Sequence, residues 1–503
     1  MNILQMTIHK IKGIPNGSIE LPIENGIYAI VGSNGIGKST IISCLAQLLS
    51  RHNLGLLKEQ DYNNESYVEF TFNGRTDKWY CENGFWKADT YPHSIKFNGT
   101  YEGSLFYGMR FIDSKNVDEL VSEGKILENE IVDADPYIVE HLGEILHSDK
   151  THYTSLSRVR NKTIRERLGL KNTPYFMQSE NASIISQYRM SSGECLTISL
   201  LHFIYNSVVR RSLNRKQPIL MLIDEIELAL HPTAITNLLN LLKSLTSKYD
   251  NLTVIITSHS PEVIHSISPN NIFKLEFDKN DENCFNIINP CYPSYAIRDV
   301  YTHDGFDYLL LVEDKLAQII VKRSIDKLKL NNSRLVNVMP VGGWFNVLKL
   351  HFELSDKNVL GVGKTIISVL DGDASDKIPK EYKSLKKFFL PVNSVEKYLR
   401  NILIVQPNKP IKKSINDKFF DVTSINQILT EYSQEEEKFK SQSPEYYKED
   451  HDGKRLYRKI LNFIKARKIS EEEFIIRLYE ILEENIDFSS LHNNLSKGLS
   501  QYS

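Results

Sequence analysis

GSNGIGKST, at residues 32–40, constrains this chain more than any other segment. It stands between the apolar run IYAIV (27–31) and the helical pattern IISCLAQLL, the strand, loop and helix order that a phosphate-binding loop requires. Gly32, Gly35 and Gly37 let main-chain N–H groups turn toward one point, and the helix N-terminus that follows adds positive potential there. Such a cradle holds phosphate. Lys38 is placed to reach the β and γ phosphates of ATP and Ser39 to hold Mg²⁺, with Asn34 and Thr40 counted in the same nucleotide-binding loop.

Four more apolar runs have strand length and β-branched content: ILMLI (219–223), TVIIT (253–257), LLLV (309–312) and TIISVL (365–370). Each is followed by polar or Gly-rich sequence, as buried parallel strands are when ligands collect at their C-terminal ends. Helical patterns such as CLTISLLHFIYNSVV and AITNLLNLLKSL separate them, so the fold class is α/β. A chain of 503 residues is too long for one core and calls for about three units. Residues 66–88 alternate apolar and polar around Asn73-Gly74 and Asn83-Gly84, which predicts an antiparallel meander inserted in the first unit. Residues 131–185 are more polar and are predicted to be helical. From about residue 420 the chain is charged and helical, and Ser470 with Glu473 predicts a capping box before Phe474, Leu478, Ile481 and Leu482.

No apolar run approaches the ~20 residues of a bilayer span, and the N-terminus lacks the pattern of a signal peptide, so a cytoplasmic protein without membrane partners is expected. The five cysteines, Cys44, Cys81, Cys195, Cys284 and Cys291, are scattered and fit reduced core thiols. A net charge of −2 gives no global attraction to nucleic acid, so any such binding needs a local basic surface or metal ions.

ILMLIDEIELALHP (219–232) brings two acids to a strand end. Consecutive acids after a strand are as often a solvated turn; beside a phosphate loop, Asp224 is assigned to the metal and Glu225 to the base that polarises the attacking water. TVIITSHSP delivers His259 to the same sheet edge, where it can sense the γ phosphate. MSSGECL (190–196) starts a helix, and a plain capping box between Ser191 and Glu194 would account for it. With the phosphate loop present, Ser191, Ser192, Gly193 and Glu194 resemble the ABC signature motif, which contacts the γ phosphate bound by a second protomer. Together GSNGIGKST, SSGE, ILMLIDE, ELALHP and SHSP resemble the ABC ATPase heads of SMC-type and OLD-type (overcoming lysogenization defect) proteins. The long coiled-coil arms of SMC proteins are missing, which leaves the OLD resemblance.

Further on, DYLLLVED (307–314) ends a strand in Glu313, VNVMPVGGW (336–344) closes another with Gly342 and Gly343, and TIISVLDGD (365–373) supplies Asp371 and Asp373. That order resembles a Toprim domain, as found at the C-terminus of OLD-family nucleases, and extends the resemblance to about residue 400. It implies a metal site of Glu313, Asp371 and Asp373, with Glu396 of LPVNSVEKYL as a further ligand, since carboxylates bind the Mg²⁺ or Mn²⁺ that phosphodiester hydrolysis uses. Asp314 stands where the family often has glycine and Ala317 where it has a further acid. The family's transition-state lysine has four candidates here, Lys397, Lys465, Lys468 and Lys497.

The resemblance therefore implies an ABC-type ATPase domain over 1–300 with an insertion at 51–187, a Toprim nuclease domain over 301–420 and a helical extension over 421–503. It implies ATP and Mg²⁺ or Mn²⁺ as cofactors, phage or plasmid DNA as substrate, a homodimer or higher homo-oligomer through the heads, and antiphage defence beside a partner such as a reverse transcriptase with its DNA or a helicase. Two other readings stay open: an ATPase scaffold with an inactive Toprim that holds and releases a toxin or sensor, and a nuclease acting on RNA.

Overall fold

In the computed structural model IYAIV becomes β3 (Gly26–Val31), in which every residue after Gly26 is buried, because the strand lies inside a six-stranded sheet. The structure describes residues 2–89, 94–103, 111–178, 184–210, 217–277, 285–299, 305–361, 363–420, 424–442 and 444–500. It divides into two units, Met1–Asp304 and Gly305–Ser503.

The first unit opens on a hairpin, β1 (Ile3–Ile11) and β2 (Ile14–Pro22), which joins β4 (Tyr67–Phe72), β5 (Arg75–Glu82) and β6 (Phe85–Ala88) in an antiparallel sheet ordered β2-β1-β4-β5-β6. The predicted meander is there. Its two turns carry positive φ at both central residues, 50° and 74° at Asn73-Gly74 and 53° and 80° at Asn83-Gly84, the geometry of type I′ hairpin turns.

The six-stranded sheet runs β15-β14-β3-β13-β12-β7, with β7 (Asn98–Glu102), β12 (Ile219–Ile223), β13 (Leu252–Thr257), β14 (Ile272–Phe277) and β15 (Phe285–Ile288). All neighbours are parallel except β15 on β14. Since β7 pairs with β12, the stretch 51–187 is not one continuous insertion, for it returns a strand to the main sheet. Helices α1 (Lys38–Leu45), α2 (Pro136–His147), α3 (Ser192–Ile204) and α4 (Pro232–Lys248) belong to this unit.

Over residues 131–185, where polarity predicts helix, helices cover only α2 and Lys162–Arg167. The rest builds a small antiparallel sheet of β8 (Ile131–Asp133), β9 (Leu156–Val159), β10 (Tyr175–Gln178) and β11 (Ile184–Ser186). These strands are too short for a readable period, and packing on Val117, Val159 and Phe176 fixes them.

The second unit holds a parallel sheet ordered β17-β16-β18-β19, from β16 (Tyr308–Val312), β17 (Val336–Pro340), β18 (Thr365–Leu370) and β19 (Lys387–Phe389). Helices α5 (Lys315–Lys327) and α6 (Trp344–Asp356) follow β16 and β17, and Leu309, Leu311, Val347, Leu348 and Leu370 form its core. The chain moves from β16 outward to β17 and then to β18 on the other side, so the sheet has its switch point between β16 and β18. The charged C-terminal helices belong to this unit, and Lys327 of α5 pairs with Glu483 at 2.7 Å. Ser470 caps its helix by accepting from the Glu473 amide, while the Glu473 carboxylate takes the Arg477 guanidinium.

Cys44, Cys81, Cys195 and Cys291 are buried and form no disulfide among the described residues, and Cys284 lies outside them. Among the described residues no helix is long and apolar enough to cross a membrane.

Candidate active sites

The phosphate loop leaves the C-terminal end of β3 in the middle of its sheet, and the ends of neighbouring β13 and next-door β12 bring the remaining groups. Gly37 adopts φ 106°, and a Cβ there would meet the Ile14 side chain at 2.7 Å; the hairpin β1–β2 thus forms part of the loop's floor. Asn34 and Gly35 make its exposed crest, and Thr40 is buried in α1. Lys38 Nζ donates to the carbonyls of Gly32 and Ser33 at 3.0 Å. Burial pulls the Lys38 pKa down to about 8, against the pull of Asp224, Glu225 and Glu227.

Ser39 Oγ donates to Asp224 Oδ1 at 3.1 Å, which places the hydroxyl and carboxylate expected of a Mg²⁺ site side by side. Thr257, at the end of β13, is absent from the sequence-based set and ties this corner together. Its Oγ1 donates to the same Asp224 oxygen at 2.6 Å and accepts the Glu225 amide at 2.8 Å. Glu225 stands in the left-handed region at φ 53°, and burial, then Asp224 and Glu227, raise its pKa as suits a general base.

Glu227 is the second residue that sequence reasoning misses: its Oε1 accepts the His259 amide at 2.6 Å. Burial, then Lys38, lowers the His259 pKa and favours a neutral ring, whose Nδ1 is buried without a hydrogen-bond partner among the described residues. A strand-end threonine before SHS and a second glutamate two residues after DE are the only sequence traces of these roles.

The first turn of α3 is a full capping box, with the Ser191 amide donating to Glu194 Oε2 at 2.9 Å and the Glu194 amide to Ser191 Oγ at 3.2 Å. Tyr153 adds a bond to Glu194 Oε1 at 2.8 Å. Ser191 and Ser192 are exposed, and a Cβ on Gly193 would lie 3.0 Å from the Ala229 carbonyl. Among the described residues no hydrogen bond joins these four to their own phosphate loop.

The second unit gathers acids at its switch point. Glu313 follows β16 and Asp371 follows β18, and the Asp371 amide donates to Glu313 Oε1 at 2.8 Å. Gly342 and Gly343 turn the chain into α6 with φ 98° and 67°, which lets the Trp344 amide donate to Glu313. Burial, then Glu313, Asp314, Asp373 and Glu396, pushes Asp371 up to about 8. Glu396, in the first turn of α7 (Val395–Arg400), is therefore within electrostatic reach of the set. Asp314 points its carboxylate into the Ala317 amide at 2.8 Å and serves as helix cap. Asp373 differs from the rest: Lys377 at 3.0 Å and Lys397 at 2.6 Å hold its pKa below the usual carboxylate value despite burial. Of the four candidate lysines, Lys397 is the one whose ammonium meets this cluster, while Lys465 faces Glu471. Among the described residues no three His, Cys, Asp or Glu side chains form a ready-made metal cage.

Residues 113–265 match a protein-family model described as "AAA domain, putative AbiEii toxin, Type IV TA system". The first unit carries an AAA-type ATPase domain. The matched span holds SSGE, Asp224, Glu225 and His259, and begins after the phosphate loop. The chain is 22% identical over 311 residues to "Septu protein PtuA" from Bacillus thuringiensis, covering 55% of this chain and 76% of that protein. It is 32% identical over 101 residues to "Retron Ec83 probable ATPase" from Escherichia coli, covering 19% of this chain and 18% of that protein. The SMC head domain from Thermotoga maritima aligns at 15% identity with a TM-score of 0.30, over 57% of this chain and 99% of that one. An ATPase domain of this kind binds nucleotide, typically with Mg²⁺.

Proposed function

We propose that this chain is an OLD-family endonuclease in which an ATP-binding head controls a Toprim domain that cleaves DNA phosphodiesters with Mg²⁺ or Mn²⁺. The observation that carries the reading is the pairing of Glu313 with Asp371 at the switch point of a second parallel sheet, the place where ligands bind in open α/β folds. Burial first, and then the neighbouring carboxylates, push Asp371 up to about 8, and a divalent cation would offset both. Glu313, Asp371, Asp373 and Glu396 would hold the ions, which supply a Lewis acid and an activated water for hydrolysis. An open set of carboxylates suits this, since Mg²⁺ is commonly held by one or two of them plus substrate phosphates.

In the head, Lys38 and the loop amides would bind the phosphates, Ser39 and Asp224 the metal, and Glu225 the attacking water, with His259 at the γ phosphate. Exposed Ser191 and Ser192, unbonded to their own loop, suit a site completed by a second protomer. The Septu and retron relatives support a place in antiphage defence; a partner such as a reverse transcriptase with its DNA or a helicase would act beside it. The lysine pair on Asp373 favours a second reading, a scaffold whose Toprim domain cuts nothing.

Purified protein incubated with labelled plasmid, single-stranded DNA and RNA, under Mg²⁺ or Mn²⁺ and with or without ATP, separates these. Metal-dependent DNA cleavage that Asp371→Ala abolishes while ATP hydrolysis stays near normal is the expected result. Cleavage by Asp371→Ala at the wild-type rate sinks the nuclease reading.

A further inference from the structure

The small antiparallel sheet of the first unit walls a cavity of about 550 Å³ far richer in cations than the chain's net charge of −2 would lead one to expect. Arg158, Arg160, Lys162, Arg165 and Arg210 line it, against a single acid, Asp135. That acid is already engaged, capping α2 through the Tyr137 amide at 3.0 Å and accepting the Tyr205 hydroxyl. Arg160 and Arg210 are exposed and have no carboxylate within 4.0 Å among the described residues, and Arg158 spends its guanidinium on the carbonyls of Val159 and Arg160. Lys162 and Arg165 share one distant partner, Glu166, at 3.5 and 3.7 Å. Arg165 Nε is buried without a hydrogen-bond partner among the described residues, so it is a donor that a ligand oxygen in the cavity would satisfy.

The rest of the lining is aromatic and polar. Tyr175 bonds His202 Nδ1 at 2.8 Å, and Asn161 and Asn206 add amides. Burial, then Arg158 and Arg165, pushes His202 down to about 4, so the ring is neutral and offers hydrogen bonds without charge. A second cavity of about 200 Å³ adjoins through Arg165, Tyr175 and His202 and contributes Lys171.

We propose that this cavity is a binding site for nucleoside phosphates, free or at the end of a nucleic-acid strand, separate from the phosphate loop. Five cations exceed the need of a single inorganic phosphate, and the volume falls within the ~300–1,000 Å³ of small-molecule sites. Aromatic rings and side-chain amides beside a cationic wall are the groups that take a base and its phosphate together. The occupant touches His202 near the end of α3, the helix whose first turn is the SSGE box. All of its lining residues belong to the first unit.

Fluorescence anisotropy with 5′-phosphorylated, fluorescein-labelled hexathymidylate, in EDTA so that the probe is not consumed, tests the assignment on the full chain. Arg160→Glu and Arg210→Glu should each weaken binding at least ~10-fold and flatten its salt dependence by about 0.7 for each phosphate no longer neutralised, while Lys87→Glu, elsewhere on the first unit, should not. If charge reversal unfolds the protein, Arg160→Gln, which only neutralises an exposed side chain, should still weaken binding. Displacement by thymidine 5′-monophosphate supports a mononucleotide source, and displacement by unlabelled strand alone supports a strand end. No binding by the wild type, wild-type binding by the Arg160 and Arg210 variants, or equal displacement by polyglutamate each overturns the proposal.

Discussion

The Lys397 ammonium lies 2.6 Å from Asp373 Oδ2, across a loop that puts the two residues on separate elements of the second unit. If Lys397 steadies charge developing at the scissile phosphate, Lys397→Met should lower kcat for cleavage by about 10²–10³ with KM and ATP hydrolysis little changed. Lys397→Arg should recover part of that rate. Equal kcat in wild type and Lys397→Met would remove the residue from the chemistry and leave it a neutraliser of Asp373.

Lys38 is the buried cation of the phosphate loop, and Lys38→Ala should weaken ATP binding by at least ~100-fold in equilibrium titration. Glu225→Gln should bind ATP normally and fail to hydrolyse it. If SSGE serves the nucleotide of a second head, as proposed, sedimentation of Glu225→Gln with ATP should then show a dimer at micromolar concentration. A strict monomer in that run contradicts the composite site.

Thr257 is fully buried and serves both Asp224 and the Glu225 amide. Thr257→Val keeps the shape but leaves the Glu225 amide without its acceptor, at a cost of about 1–3 kcal/mol. ATP turnover should fall ~10–100-fold, and Thr257→Ser should restore most of it. Turnover by the valine variant within about twofold of wild type would show that the hydroxyl is dispensable.

His351 of α6 is buried against Ser368 of β18, its Nδ1 2.8 Å from the hydroxyl, and burial with Lys387 nearby pushes its pKa from 6.5 to about 4. A folded pKa below the unfolded one contributes stability that is full above 6.5 and fades as pH falls toward 4. The whole gap is worth at most about 3 kcal/mol. Urea unfolding of the second unit at about pH 7.5 and about pH 4.5 should show a larger acid-side loss for wild type than for His351→Asn. Identical losses would place the acid sensitivity elsewhere.

The parts of this molecule that are legible in the sequence are those whose chemistry is local. Each of the five apolar runs is a strand, both Asn-Gly pairs are tight turns, and the capping box at Ser191 forms as spaced. The β1–β2 hairpin is not legible although β1 alternates buried and open residues, because its side chains His9 and Lys10 blur the pattern. Strands of three or four residues such as β8 and β9 carry no period at all, and only their neighbours decide them. Thr257 and Glu227 are out of reach, and Lys397 stays one of four equal candidates, for another reason: their partners are distant in sequence, and the side chains converge only once the elements pack.

The place of β3 in its sheet has a consequence for synthesis. Ile27 pairs with Val254 on one side and Ala29 with Ile272 on the other. The phosphate loop therefore leaves the ribosome well before β14 and stays without a complete sheet until that strand has followed, on the order of tens of seconds later at about 5–20 residues per second. Until β13 and then β14 emerge, β3 is an apolar strand without its sheet neighbours, so the nascent chain is poised to need a chaperone over that interval.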